Sequence, residues 1–370
     1  MEMLVPCLFG LESFVSRELK QLDIEIKSVE DGKVTFLGDF CDMMRANLWL
    51  RTGERVLIKV CEFVAKDFDT LYNLCVDANW ADYLPRDAKV SVSGHCLKSQ
   101  LSSHPRCRAI IKKAIADSMG KSYNMERMPE DGAEYQVRFS FVKDKVTISI
   151  DTTGEGLHKR GYRARSNQAP VRETIAAGMV YVSRWRWENE LCDPFCGSGT
   201  IPIEAAMLKL NIAPGLNREF DFFNFAEFDR AEFDVLVDDA KSQQKDLPLR
   251  IYASDIDESC VELTKKNAKL AGVDKYITVK KADARELEVE SAGGTIICNP
   301  PYGERLSDTE ACEELYREMG KRFSKFHNWS YYILASNENF ESLFGRPATK
   351  RRKIYNGMMK CNIYQYQIKK

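Results

Sequence analysis

From Leu11 to Leu22 the apolar residues Leu11, Phe14, Val15, Leu19 and Leu22 recur at helical spacing. After the Asp31-Gly32 turn, Lys33 to Leu37 has the texture of a short strand. A second helical pattern starts near Pro105, with Ala109, Ile110, Ala114, Ile115 and Met119 on one side and Gly120 as its expected stop. Strands are predicted around it at 89–93, 134–142 and 145–151, the last two separated by the polar pair Lys143-Asp144. Nothing in roughly the first 155 residues has the spacing of a catalytic motif, so this half is expected to be a recognition or scaffolding region.

From about Pro170 the pattern becomes strand, tight turn, helix, repeated. Strands are predicted at 190–193, 250–254, 277–280, 295–298 and 331–335, and helices at 201–210, 258–270 and 311–323. Asp257 suits the N-cap of the second helix and Gly272 its C-terminal stop. Such alternation predicts an α/β fold, a doubly wound parallel sheet with helices on both faces. The chain ends differently: 353–355 and 359–368 flank Asn356-Gly357, a two-residue hairpin signal that closes the sheet with antiparallel strands.

In doubly wound sheets ligands bind beyond the carboxyl ends of the strands. The turn Asp193-Pro194-Phe195-Cys196-Gly197-Ser198-Gly199-Thr200 falls there, with two glycines where a missing Cβ lets a ligand approach the backbone. Asp255 follows the second strand, where a carboxylate can accept both hydroxyls of a ribose, and Asp283 follows the third, within reach of an adenine amino group. A dinucleotide fingerprint needs a third glycine, where this chain has Ile201-Pro202, and an acid about 20 residues on. A P-loop needs Gly-Lys-Ser/Thr in the same turn, and none follows this one. The remaining reading is a nucleoside ligand without a pyrophosphate.

Composition narrows the picture. With 370 residues, 44% of them hydrophobic, the chain can bury a sizeable core in two or three domains. It has no apolar run of about 18 residues. Charges at Glu2, Glu12, Arg17, Glu18 and Lys20 interrupt its start, so a cytoplasmic protein that neither spans nor binds a membrane is expected. Twelve cysteines without a C-x-x-C pair, beside four histidines, predict reduced thiols and no metal site. Cys196 and Cys298 invite a nucleophile role, but neither is flanked by a histidine. The net charge of -1 gives no global sign of a nucleic-acid partner, yet cations cluster in Lys159-Arg160-Gly161-Tyr162-Arg163-Ala164-Arg165 and Lys350-Arg351-Arg352-Lys353. Residues 211–249 read as an insertion whose phenylalanines suit packing better than base stacking.

The segments Asp193 to Thr200, Asp255-Ile256-Asp257, Asp283 and Asn299-Pro300-Pro301-Tyr302 resemble the successive motifs of class I S-adenosylmethionine-dependent methyltransferases. The resemblance extends further. Leu157 to Arg163, Ala169 to Thr174, Asn299 to Leu306 and Tyr355 to Asn362 are similar to the THUMP-domain RNA guanine-N2 methyltransferases, in particular the bacterial 23S ribosomal RNA branch. It implies a ferredoxin-like segment at 1–43, an RNA-binding THUMP domain at 44–155 and a Rossmann-like catalytic domain at 156–370. It also implies that the turn residues Asp193, Phe195, Cys196, Gly197, Ser198, Gly199 and Thr200 hold the methionine end of S-adenosylmethionine. Asp255 and Ile256 would meet its ribose and Asp283 and Ala284 its adenine, while Pro170 and Glu173 cover the amino-acid end.

The catalytic group would be Asn299, Pro300, Pro301 and Tyr302. An exocyclic amine on a purine is a poor nucleophile because its lone pair is delocalised into the ring. The Asn299 side-chain oxygen and the Pro300 carbonyl can take its two N–H groups and drive the nitrogen toward a pyramidal geometry. The prolines fix the backbone, each ring locking φ near about -65°. Tyr302 would stack on the base, a contact worth roughly 1 to 3 kcal/mol. Lys159, Arg160, Arg163 and Arg165, with Lys350, Arg351 and Arg352, would grip RNA phosphates. The implied activity is methyl transfer to guanine N2, in 23S ribosomal RNA or alternatively in tRNA. A noncatalytic RNA-binding assembly factor is the reading from another class.

Overall fold

The computed structural model describes residues 1–163, 170–289, 291–303, 306–356 and 359–368. The expected sites at Ala169, Arg165, Glu304, Arg305, Gly357 and Met358 lie outside them. The amino-terminal half runs β1 (Glu2–Pro6), α1 (Glu12–Gln21), β2 (Glu25–Glu30), β3 (Lys33–Leu37), α2 (Phe40–Trp49), β4 (Leu57–Val64), α3 (Phe68–Val76), β5 (Lys89–Leu97), α4 (His104–Tyr123), β6 (Glu134–Val142) and β7 (Lys145–Asp151). Its strands join into one seven-stranded sheet, ordered β2-β3-β1-β4-β7-β6-β5. The pairing of β1 with β4 makes the small first unit and the next one continuous. The division expected after residue 43 falls inside α2, which the Asp39 carboxylate caps by accepting from the Asp42 backbone N–H.

The second half runs α5 (Glu173–Ser183), β8 (Glu190–Asp193), α6 (Thr200–Lys209), α7 (Arg230–Ser242), β9 (Ile251–Asp255), α8 (Glu258–Leu270), β10 (Ile277–Lys281), β11 (Gly294–Cys298), α9 (Leu306–Phe323), β12 (Trp329–Ala335), α10 (Phe340–Leu343), β13 (Lys350–Asn356) and β14 (Met359–Tyr366). Its sheet is ordered β10-β9-β8-β11-β12-β14-β13. The first five strands in that order are parallel, and β14 and β13 close the sheet antiparallel, as the hairpin signal predicts. The chain leaves β8 toward β9 and β10, then returns to the other side of β8 for β11. That reversal opens a crevice between the ends of β8 and β11. Among the described residues no helix is long and apolar enough to cross a membrane, and all twelve cysteines are free thiols.

The two halves are packed together. Residues 211–249 supply Phe220, Phe222, Phe225 and Phe233 to the core of the amino-terminal half, not to the catalytic sheet. Phe222 N–H donates to the Thr152 carbonyl and Tyr135 donates its hydroxyl to the Asn224 carbonyl. The insertion's phenylalanines therefore pack, and they pack across the junction. On the other side, Phe14 stacks on Tyr181 with ring centroids 5.3 Å apart, and Leu11 joins the core of the catalytic half.

Candidate functional site

The register of the sheet brings the two strongest motifs together. β11 pairs with β8 so that Ile296 lies opposite Cys192, which sets Asp193 and Asn299 at neighbouring strand tips. β9 flanks β8 on the other side, with Ala253 opposite Asp193, and delivers Asp255 just above it. These tips open into a cleft of about 500 Å³. Of the residues expected there, Pro170, Asp193, Phe195, Cys196, Gly197, Ser198, Thr200, Asp255, Ile256, Asp283, Ala284, Asn299 and Pro301 line it. Val171, Ile201, Cys260, Arg285, Ala311 and Leu315 line it too, without having been singled out from sequence. Ala311 and Leu315 are four residues apart on α9, so one helical face supplies both.

The glycine turn is built for close approach. Gly197 has φ +53° and a Cβ there would meet nothing within 4 Å, so its backbone faces open space in the cleft. Gly199, at φ +82°, caps α6 from below: a Cβ would lie 2.8 Å from the Thr264 methyl carbon, so this glycine serves helix packing and lies off the cleft. Gly197 N–H donates to Asp255 Oδ2 at 2.9 Å, and Asp257 N–H donates to Oδ1 at 3.0 Å. The Asp283 carboxylate accepts from the Arg285 guanidinium at 2.9 and 2.5 Å. That ion pair holds its carboxyl below the usual aspartate range.

Asp193 differs from both. Its Oδ1 accepts from Phe195 N–H at 3.1 Å, while its Oδ2 is buried without a hydrogen-bond partner. Burial pushes this carboxyl well above its ordinary value, and the nearby Asp255 charge adds to the rise. An orphaned buried carboxylate oxygen in a cleft wall suits a ligand cation such as an ammonium group. Burial also pushes the Cys196 and Cys298 thiols up, so both stay protonated and a thiolate nucleophile has no support.

Several expectations need correction. Tyr302 does not line the cleft. Its ring packs against the core of the catalytic half and its hydroxyl donates to Asn299 Oδ1, because the turn after Pro301 folds it toward β14 and away from the opening. Pro300 is also absent from the lining; the turn is instead pinned by Tyr316, whose hydroxyl donates to the Pro301 carbonyl at 2.6 Å. Glu173 lies behind the cleft wall, paired with Arg163 at 3.2 Å.

The basic clusters divide. Arg160 is 2% exposed and paired at 3.3 Å with Glu204, itself 0% exposed, so it is a core cation and not a phosphate grip. Arg163 donates to Thr200 Oγ1 at 2.6 Å, which ties it to the base of the glycine turn. Arg352 donates to the Gly10 carbonyl at 2.6 Å and lies over the Phe14 ring, joining the closing hairpin to α1. Arg351 pairs with Glu341. Lys159 and Lys350 remain exposed. Lys159, Arg160 and Arg163 border a second cavity of about 900 Å³, which meets the cleft at Pro170. Arg218 crosses that cavity's floor and donates to the carbonyls of Thr153, Glu155, Gly156 and Lys159, fastening the connection between the halves.

Known proteins carry the same plan. Residues 160–365 match the RMKL-like methyltransferase domain family, 2–57 the RlmL ferredoxin-like domain and 65–151 the THUMP domain. YpsC of Bacillus subtilis (strain 168), named as a candidate RNA methyltransferase, is 43% identical over 96% of this chain and 93% of its own length. Ribosomal RNA large subunit methyltransferase K/L of Psychromonas ingrahamii is 35% identical over 98% of this chain, which spans 50% of that protein. The solved structure of SMU.472, complexed with SAH, superposes with a TM-score of 0.92 at 37% identity, covering 100% of this chain and 98% of that one.

Proposed function

We propose, from the premise that this chain belongs to the RMKL-like methyltransferase family built on an RlmL-type ferredoxin-like domain and a THUMP domain, that it is an S-adenosylmethionine-dependent RNA methyltransferase acting on guanine N2 in 23S ribosomal RNA. One observation carries the reading: a single cleft holds both the orphaned carboxylate oxygen of Asp193 and the amide of Asn299, at the tips of adjacent strands. The first suits the ammonium of a methionine moiety and the second an exocyclic amine, so the two reacting groups would meet there. The SAH-bound relative supports the cofactor, and the relatives named for the large ribosomal subunit support the RNA. This chain spans only half of the latter, so the substrate is taken over as a proposal.

When bound, S-adenosylmethionine supplies a sulfonium methyl that the N2 lone pair takes as the carbon–sulfur bond breaks, leaving the thioether and one proton for water. The chain's own residues supply position and acceptors. Asp193 would hold the ammonium, Gly197 would lie against the backbone of the methionine moiety, and Asp255 would exchange its two N–H partners for ribose hydroxyls. Asn299 Oδ1 has two lone pairs, one of them engaged by Tyr302. The other would accept from N2. No strong general base is required. Holding amine and methyl in line can contribute on the order of 7 to 11 kcal/mol.

Asn299→Ala separates binding from chemistry. Calorimetry should find its affinity for S-adenosylmethionine nearly that of wild type while methyl incorporation into RNA falls by at least a hundredfold. Equal turnover by the two proteins would overturn the assignment.

A further inference from the structure

Among the described residues one aromatic ring stays largely exposed: Phe9, at 42%, in the loop between β1 and α1. That loop is seated on β13. The Arg352 guanidinium donates to the Gly10 carbonyl at 2.6 Å. Gly10, at φ +93°, lies so near β13 that a Cβ would come within 2.6 Å of the Lys353 carbonyl oxygen, so only glycine lets the loop sit there. The Lys353 ammonium then lies over two rings, 6.0 Å from the centroid of Phe9 and 5.1 Å from that of Tyr355. Arg351 is taken by Glu341 and Arg352 by Gly10, whereas Lys353 is exposed and pairs with no acid among the described residues. A single exposed ring is ordinary surface; here it shares a free cation with a second ring.

The register sets this group beside the mouth of the cleft. Cys298 on β11 lies opposite Ile333 on β12, Ile333 opposite Tyr364 on β14, and Tyr364 opposite Arg351 on β13. Two antiparallel steps make β13 run the same way as β11, three strand spacings or about 14 Å from it. Tyr355 is four residues past Arg351 and Asn299 one past Cys298, so the ring stands about 10 Å higher than the amide, beyond the strand tips.

We infer that Phe9, Lys353 and Tyr355 form a platform for an unpaired RNA segment flanking the target nucleotide, the two rings offering their faces to bases and Lys353 its ammonium to a phosphate. This rests on the proposed RNA substrate and gives the amino-terminal half a part at the edge of the reaction site, since Phe9 belongs to one half and its two partners to the other. An enzyme that does chemistry on a base takes it out of its stack, so the neighbours lose a stacking partner. Aromatic faces beside a cation replace that partner without regard to sequence.

The test is fluorescence anisotropy of the full chain with a labelled single-stranded oligoribonucleotide, read beside a duplex of the same sequence. Phe9→Ala and Tyr355→Leu should each weaken single-strand binding by about tenfold, and Phe9→Tyr, which keeps the ring, should stay within about twofold of wild type. Lys353→Gln should lower the slope of log affinity against log salt by about 0.7, one phosphate on a single strand. A 2-aminopurine in the strand should be quenched on binding wild type and not on binding the Phe9→Ala, Tyr355→Leu double variant. Duplex binding, affinity for S-adenosylmethionine and melting temperature should not move in the ring variants. Wild-type affinity and quenching in the double variant would overturn the inference, as would an equal loss on the duplex. A wild-type chain that bound no RNA would overturn both this platform and the proposed substrate. A chain that bound and stacked the strand but methylated no guanine would leave the platform standing and place the failure with the proposed reaction.

Discussion

Replacing Arg160 with Met should unfold the junction between the halves more readily without removing a phosphate contact. The Arg160 guanidinium meets Glu204 at 3.3 and 3.4 Å and donates to the carbonyls of Leu157 at 2.6 Å and Arg51 at 2.5 Å. Glu204 has one further partner in the Tyr162 hydroxyl, at 3.1 Å. With both side chains almost wholly buried, the methionine fills most of the space but leaves a carboxylate in the core with one neutral donor. Removing one member of such a pair costs about 3 to 5 kcal/mol. Urea unfolding followed by tryptophan fluorescence should report a loss in that range. Adding Glu204→Leu to Arg160→Met should recover much of it, because the uncompensated charge goes too, though the Leu157 and Arg51 carbonyls still lack a donor. RNA affinity of the folded single variant should keep the wild-type salt dependence. A variant as stable as wild type, with its salt slope reduced by about one phosphate contact, would refute this reading and return Arg160 to the RNA surface.

The orphaned Asp193 predicts a pH dependence. Its native proton affinity is raised above the ordinary 3.8, so its own contribution to stability without cofactor is fully present at low pH and is lost as pH rises from that value through the raised one; comparing wild type with Asp193→Asn isolates it. Affinity for S-adenosylmethionine, measured by calorimetry, should climb over the same range and decline again as the cofactor's amino group loses its proton near about 8, whereas Asp193→Asn should bind weakly with a flattened profile. The two glycines should fail differently: Gly197→Ala, whose Cβ meets open space, should cost about 1 to 2 kcal/mol and chiefly weaken cofactor binding, while Gly199→Ala, 2.8 Å from Thr264, should destabilise the catalytic half more. Phe222→Ala removes a wholly buried ring that touches Phe40, Phe220, Phe223, Phe228 and Phe233, and thermal or urea unfolding should show a loss of about 3 to 5 kcal/mol with cofactor affinity unchanged.

The elements most legible in the sequence are those whose pattern depends on one neighbour. β6 and α8 fall where alternation and helical spacing set them, β7 and β8 where polar or turn residues bound a short buried run, and Asp257 caps α8 as its type predicts. α5 escapes because nearly all its residues are buried, which leaves no polar stripe to give it a period. α4 runs past Gly120 to Tyr123 because Asn124, at φ +51°, supplies the left-handed cap. At the site, Asp193, Gly197, Asp255 and Asn299 are legible because motif spacing and strand order together set backbone positions. Side-chain direction is not so encoded. Tyr302 turns toward Cys361, 59 positions away in sequence, and Arg160 toward Glu204, 44 positions away. Neither partner shares a motif with its residue, so a basic run and an aromatic beside prolines carry no sign of where they point.

The central claim is the identity of the methylated atom. Ribosomal and transfer RNA from a strain lacking this protein would be incubated with the purified chain and isotopically labelled S-adenosylmethionine, digested to nucleosides and resolved by mass spectrometry. The label is predicted in N2-methylguanosine derived from 23S ribosomal RNA. Label in tRNA alone would move the substrate while leaving the chemistry intact; label on adenine N6, or in no nucleoside while the cofactor still binds, would contradict the account.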